Sequence, residues 1–504
     1  MALAPQKQDA NLVGFFKIRE ATLGQVPATG AWQTREPNSF DDLGAEYTKV
    51  ARKPFSPSRQ RKKGSTTDMD ADGGYNEDLT QNNMQGELEE FFFAALRKTH
   101  EETGAAAVAS TDDFTVADST DYLVGSLVKA SGYTNAANNG IHTIGALTDA
   151  THISTTSSLA DEAGSATKKL KVVGFAFATA DVDLSTPAGQ CVLTATVADF
   201  TDFNLVEGSW VFYDHGDDVN VGYARIANNG ITATTLTFDK TTWTPVADDG
   251  TGMDSTIYFS DVLKNEDDPD LIVRYSSVME RTLGRDADGV QSEYLTGSVA
   301  SELTWNSPLA NLVNLDLAYI CQKAGLRTGS EGPLTARASN TVVKALGEDA
   351  FNTSSNVYRL RMAMIDPATL NPSPFFARVT EWTATINNNV SSSKAQGVLG
   401  GFDTTVGNFD VDAELTAYFS TTEVIHAVKC NWDVTFDAIY AKQNAGVYLD
   451  IPLVSLGGGR LDIEQDAAIM VPLTAAAAES AFGHTALIGW FDYLPAAAMP
   501  DIDC

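Results

Sequence analysis

The residues best placed by type and spacing to do chemistry lie in DMDADGGYNEDL, residues 68–79. Asp68, Asp70, Asp72 and Gly73 fall at the first, third, fifth and sixth positions of a calcium-binding loop. The twelfth position needs a bidentate Glu and holds Leu79, and no helical segment leads into the stretch. The spacing therefore reads as an acidic turn at a loop tip, and no metal is expected. NEDDPD at 265–270 reads as a solvated joint. The six histidines, His100, His142, His152, His215, His426 and His484, form no HExxH and do not pair closely with cysteine. The four cysteines, Cys191, Cys321, Cys430 and Cys504, are scattered with no CxxC, which argues against a zinc site and a disulfide framework. GxSxG, a Walker A motif and a GxGxxG between strand and helix are absent. Gly457-Gly458-Gly459 follows an apolar run, but no Lys-Ser/Thr comes after it, so it reads as a plain turn. Carboxylates are plentiful and none stands out as a catalytic pair. The chain is expected not to be an enzyme and to need no cofactor.

The elements around these residues are short and β-like. The chain has 504 residues, a length that corresponds to roughly three to four domains. Apolar residues make up 43% and charged residues 20%, which suits a globular and not a disordered chain. The 39 glycines, with abundant Thr, Asn, Asp and Ala, favour turn-rich β structure over long helices. With 34 Lys+Arg against 66 Asp+Glu, the net charge of −32 excludes a general nucleic-acid binder, which must supply positive charge to replace counterions. The same charge suits a surface that nucleic acid passes without sticking. No stretch approaches the roughly 18 consecutive apolar residues of a membrane span, and MALAPQKQDA lacks the pattern of a signal peptide. Synthesis and assembly in the cytosol are expected.

Residues 1–103 form a first unit with a basic stretch, Arg52, Lys53, Arg59, Arg61, Lys62 and Lys63. It closes on a predicted helix in which Leu88, Phe91, Phe92, Ala95 and Leu96 share one face. Glu87, Glu89 and Glu90 early in that helix, and Arg97 and Lys98 late, complement its dipole. Residues 104–261 carry less charge and contain an internal repeat, expected as two inserted β modules at 104–180 and 181–261. Its landmarks are Gly125-Ser126 against Gly208-Ser209, and ANNGI at Ala137–Ile141 against Ala227–Ile231. Asn-Gly between apolar runs signals a tight hairpin turn. Residues 262–330 resume the earlier style with strands in LIVRYSSVMERTLGR and YLTGSVASELTW, while ANLVNLDLAYICQKAG reads as a strand or a short helix. After a polar stretch from Leu326 to Tyr358, residues 359–504 repeat the order strand, long loop, strand, helix. The helix STTEVIHAVKC has a capping box from Ser420 to Glu423. The chain thus reads as a duplicated core, 1–103 with 262–330 and then 331–504, with the β modules inserted into the first copy.

Three stretches resemble the tail tube, or major tail, proteins of long-tailed bacteriophages. They are TLGQVPATGAWQTRE followed by GGYNEDLTQNNMQGELEEFFFAAL, the module DYLVGSLVKASGYTNAANNGIHTI with its second copy, and the ending GGRLDIEQDAAIMVPLTAAAAESAFGHTALIGWFDYLP. The resemblance implies a mainly β fold of duplicated β-sandwich or barrel domains, each with a flanking helix, and an inner sheet that joins its neighbours around a DNA channel. It also implies stacking of rings into a tube, partnership with other tail proteins (tape measure, tail tip and terminator), passage of DNA without specific binding, no membrane, and a place in the virion. The duplication departs from one-domain members, so three chains are expected to supply the six domains of a ring. A receptor-binding protein or surface adhesin of the virion is the alternative, because β modules with such turns also decorate adhesins.

Two sets of site residues follow. Arg52, Lys53, Arg59, Arg61, Lys62 and Lys63 are expected to dock on acidic surface of the adjacent ring, the plainer reading being a solvated loop. Glu293, Glu302, Asp410, Asp412 and Glu414 are expected to face the lumen. In FDVDAELTAYF the acidic residues alternate with Phe409, Val411, Ala413 and Leu415, which fits a sheet with one wet face and one packed face.

Overall fold

Alternating apolar and polar residues set most of the chain in strands, and the fold is mainly β. The structure is a computed structural model. It describes residues 7–57, 59–187, 190–216, 219–239, 246–334, 337, 340–365, 375 and 378–500. Cys504, and Pro374, Phe376 and Ala377 within the stretch 359–504, lie outside the described residues.

The first strands are β1 (Phe15–Arg19), β2 (Ser39–Ala51) and β3 (Gly64–Asp78). β2 and β3 form a long antiparallel hairpin, in register from Ser39↔Asn76 to Ala51↔Gly64. The acidic stretch expected as a turn is therefore strand: Met69 and Ala71 are buried, while Asp70 and Asp72 face out. Its glycine pair has a different purpose from turning the chain. β2 bulges between Asp41 and Gly44, and a Cβ on Gly73 would lie 2.4 Å from the Leu43 Cα. Glycine in mid-strand lets two backbones approach closely. Helix α1 (Gln85–Phe92) follows and ends earlier than the periodicity predicts, because Phe93 takes the left-handed conformation. Ala95 and Leu96 are not on its face, and Arg97 and Lys98 lie beyond its end. Glu87 lies in the first turn as expected, and both Glu87 and Glu90 are buried and paired with cations.

The inserted segment contains β4 (Ala106–Val108), β5 (Asp113–Thr115), β6 (Ser126–Ser131), β7 (Gly140–Asp149), β8 (His152–Thr155) and β9 (Lys169–Phe177). It continues with β10 (Val182–Ser185), β11 (Val192–Ala195), β12 (Trp210–Asp214), β13 (Val221–Ile231), β14 (Thr235–Phe238) and β15 (Ser255–Tyr258). The first six pair in the order β4·β5·β8·β7·β6·β9. The next six repeat it as β10·β11·β14·β13·β12·β15, and β9 joins β15. The Gly-Ser landmarks occupy equivalent places, since Leu127 pairs with Thr143 and Trp210 with Arg225. The ANNGI landmarks do not: the first precedes its strand's Thr143 and the second follows Arg225. Neither is a tight hairpin turn. That turn needs positive φ at both Asn and Gly, whereas Asn139 has φ −97° beside Gly140 at +114°, and Asn229 is the residue of its pair in the left-handed region. In the second copy the stretch is a bulge between Ile226 and Ile231.

The chain then gives β16 (Asp261–Lys264), β17 (Ser277–Arg285), β18 (Val290–Ser307), β19 (Asn314–Cys321), β20 (Val357–Met364), β21 (Val379–Asn387), β22 (Asp410–Tyr418), α2 (Glu423–Cys430), β23 (Val434–Lys442), β24 (Ala445–Gly458), β25 (Met470–Ala477) and β26 (Leu487–Phe491). The segment that periodicity left open is strand β19. The capping box is not formed: Thr422 precedes α2 with no side-chain cap, and the Ser420 hydroxyl donates to the Phe375 carbonyl. β1·β17·β18·β19 are antiparallel neighbours in that order, and β20·β23·β24·β25 repeat the order.

The chain folds as two units. The first comprises Met1–Ala94, Asp268–Thr353 and Glu381–Leu415. Its core includes the rings of Phe15, Tyr75, Tyr319 and Phe91 in successive contact. The second comprises Ala95–Asp267, Ser354–Thr380 and Thr416–Cys504. Within it the inserted strands share one core among themselves, from Ala105 to Phe259. A further cluster joins Leu127, Val173, Trp210 and Tyr258 to Ile439, Tyr448, Leu487 and Phe491. The inserted segment is thus seated on the C-terminal strands. The joint residue Asn265 accepts hydrogen bonds from the backbone of Thr485 and Ala486, so it is an anchor as well as a connection.

Candidate functional site

In the first unit β3, β19, β18 and β21 lie side by side. Their register aligns side chains in rows across the sheet. Tyr75, Leu317, Leu303 and Ile386 form one buried row, and Leu315, Trp305 and Ala384 extend the same packed face. The opposite face carries Asn76, Asp316, Thr304 and Thr385 in one row and Asp78, Asn314, Asn306 and Thr383 in the next. These groups hold one another. Asn76 Nδ2 donates to Asn314 (2.8 Å) and Asp316 (2.7 Å), and Asn306 Nδ2 donates to Asn314 (3.1 Å) and Asp316 (2.6 Å). Asn387 Nδ2 donates to Glu302 at 2.7 Å. These rows consist of amides, hydroxyls and carboxylates, with no Lys or Arg among them. A surface of this kind is wet and negative and offers a phosphate backbone no cation to hold.

A match to the family model described as phage tail tube protein spans residues 10–477 of this chain. The chain belongs to the phage tail tube protein family. It is a structural protein of a phage tail. No curated protein matches the chain.

The carboxylates singled out in this tail tube protein have distinct surroundings. Asp410, Asp412 and Glu414 are exposed along β22, and the intervening Val411, Ala413 and Leu415 are buried. Asn389 Nδ2 donates to Asp410 at 2.7 Å. Glu302 is exposed on the polar face. Glu293 is half-buried and paired with Arg281 at 2.6 Å, so its charge is matched within the fold.

Arg52, Lys53, Arg59, Arg61, Lys62 and Lys63 all lie on the connection between β2 and β3, and all are exposed. Phe55 at the same tip is fully exposed, and Tyr47 and Val50 on the stem are more than half exposed. Farther down, Lys394 bridges Asp68 (2.6 Å) and Asp70. The Lys394 contact lowers the Asp68 carboxyl below its usual range. Partial burial raises that of Asp72, with Asp42, Asp70, Glu46 and Asp41 crowding it. The hairpin therefore has a basic, partly apolar tip and an acidic stem.

The calcium-loop spacing does not form a cage. Asp68, Asp70 and Asp72 are strand residues, and no cluster of metal-ligating side chains occurs among the described residues. The other strong electrostatic groups are buried ion clusters, such as Arg225 with Asp239 (2.9 Å) and Asp450 (3.0 Å). The Asn and Asp ladder of β3, β19 and β18 escaped sequence reasoning. Its signal was present in NLDLAY, where polar residues alternate with Leu at period two.

Proposed function

We propose that this chain polymerises into stacked rings that form the tail tube, an acidic channel through which DNA passes during ejection. The observation that carries this reading is the polar sheet face of Asn76, Asp78, Asn314, Asp316, Glu302 and Asn387, continuous across four strands and lacking cations. Together with Asp410, Asp412 and Glu414 it supplies the lumen wall. Each chain contributes two tube domains, one built on 1–103 with 262–330 and one on 331–504, with Glu381–Leu415 of the latter stretch folding with the first. The repeated order of β1·β17·β18·β19 in β20·β23·β24·β25 supports that duplication. Three chains then make a ring with pseudo-sixfold symmetry. The inserted modules project outward from the wall and line no part of the channel. The basic hairpin tip contacts the next ring. Assembly takes place in the host cytoplasm, with the tape measure, tail tip and terminator proteins as partners.

Electron cryo-microscopy of tubes grown from the purified chain tests this reading. Three chains per ring around an open channel are expected. Six chains per ring would overturn the stoichiometry, and a closed, tapering trimer would overturn the tube in favour of an adhesin.

A further inference from the structure

Within the second unit, Lys171 of β9 reaches two carboxylates that are far away in sequence. Its Nζ pairs with Asp261, the first residue of β16, and with Asp492, the residue after β26. The side chains of Lys171, Asp261 and Asp492 are only 10%, 1% and 18% exposed. The two acidic residues each make a second contact. The backbone N–H of Thr99 donates to Asp261 Oδ1 at 3.1 Å, which leaves Oδ2 toward the lysine. Lys129 Nζ donates to the Asp492 carbonyl at 2.6 Å and fixes the chain where that carboxylate leaves the strand. Asp261 pairs with Trp490 across β16 and β26, so the two acids approach from adjacent strands. Val173 of β9, Val262 of β16, and Leu487 and Phe491 of β26 belong to one apolar cluster on the same strands.

The geometry points to an intramolecular isopeptide bond between Lys171 Nζ and Asp492 Cγ, formed with Asp261 as the proton carrier. One amine, one carboxyl carbon and a second carboxyl meet where little water enters. Burial disfavours the charged amine, but Asp492 and Asp261 together hold the proton on Lys171 above the ordinary lysine range, so the amine becomes nucleophilic by passing a proton to a carboxylate. Burial also raises the carboxyl of Asp261 to about 6, with Lys171 pulling it the other way and Asp492 adding to the rise. That suits a group that takes up and returns protons near neutral pH. The balance is closed without any co-reactant. The Lys171 ammonium gives a proton to Asp261, and the free amine attacks Asp492 Cγ. The departing Asp492 oxygen collects that proton and a second one from Nζ and leaves as water. An ammonium and a carboxylate become an amide and water, and Asp261 ends as it began. The bond would tie the inserted segment to the C-terminal strands, and it does not depend on the tube reading.

Intact mass of the purified full chain tests this. The wild type is expected to be one water lighter than its sequence, and digestion is expected to yield a branched peptide joining Lys171 to Asp492. Asp-Gly steps at Asp72, Asp249 and Asp288 can also lose water as cyclic imides, so Lys171→Arg is the control and must restore the full mass. Asp261→Ala, which keeps both reacting groups, is expected to restore it too. A wild type at full mass, or a water loss that persists in Lys171→Arg, overturns the bond. A bond that forms equally fast in Asp261→Ala overturns the role given to Asp261.

Discussion

Glu162 shows how one side chain secures a loop in the first inserted module. It pairs with Lys168 at 2.8 Å and accepts from the backbone N–H groups of Thr134 (2.8 Å) and Asn135 (3.0 Å) and from Asn138 Nδ2 (3.2 Å). The Lys168 contact first, then the two backbone donors, lower its carboxyl from 4.5 to about 2. A carboxyl lowered on folding binds fewer protons in the folded than in the unfolded state. Its contribution is therefore complete above pH 4.5 and lost as pH falls toward 2. Glu162→Gln is expected to lower the thermal midpoint at neutral pH and to erase the gap from wild type near the acid end. A midpoint difference that stays constant from pH 6 to pH 2 would show that the carboxylate's charge is not what holds the loop.

At the scale of elements, the long β2–β3 hairpin is the feature on which the proposed contact with the next ring rests. Its tip places Arg59, Arg61, Lys62, Lys63 and Phe55 in solvent, in a chain whose net charge is −32. Exposed ion pairs are worth about 0–1 kcal/mol each, but the proposed ring would repeat them. Replacing the four cations with Gln is expected to leave the monomer's melting unchanged, because none is buried. Polymerisation followed by light scattering is expected to slow several-fold, and raised salt is expected to slow the wild type in the same way. Polymerisation at the wild-type rate in the quadruple variant would reject the docking role and leave a solvated loop.

For the whole molecule, in the proposed tube, the governing quantity is the sign of the wall. Duplex DNA carries one negative charge per roughly 1.7 Å, so a basic channel would hold the genome through many phosphates at once. Asp410, Asp412 and Glu414 lie on one exposed strand face with apolar neighbours packed behind them. Their replacement with Lys leaves that packing intact. Tubes of the triple variant are expected to assemble and to release DNA more slowly, with the delay shrinking as salt rises. Release at the wild-type rate, or a solved tube with these positions on its outer surface, would remove them from the lumen.

Much of this was legible before any coordinates. The acidic balance and the alternation in FDVDAEL are properties of the chain alone, the second because side chains change face every residue in a strand. The strand β19 was within reach for the same reason, since its polar residues recur at period two. Other features depended on partners far away in sequence. Gly73-Gly74 reads as a turn until the bulge in β2 brings Leu43 against it. The early end of α1 rests on one residue, Phe93, in the left-handed region, where periodicity predicts about one more turn of apolar face. The ANNGI stretches match letter for letter and sit at inequivalent places, because register fixes position in a sheet and short turn sequences recur by chance. The meeting of Lys171, Asp261 and Asp492 is the extreme case. Local sequence specifies a strand, a joint and a strand end, and only the pairing of the sheets brings an amine and two acids to one point.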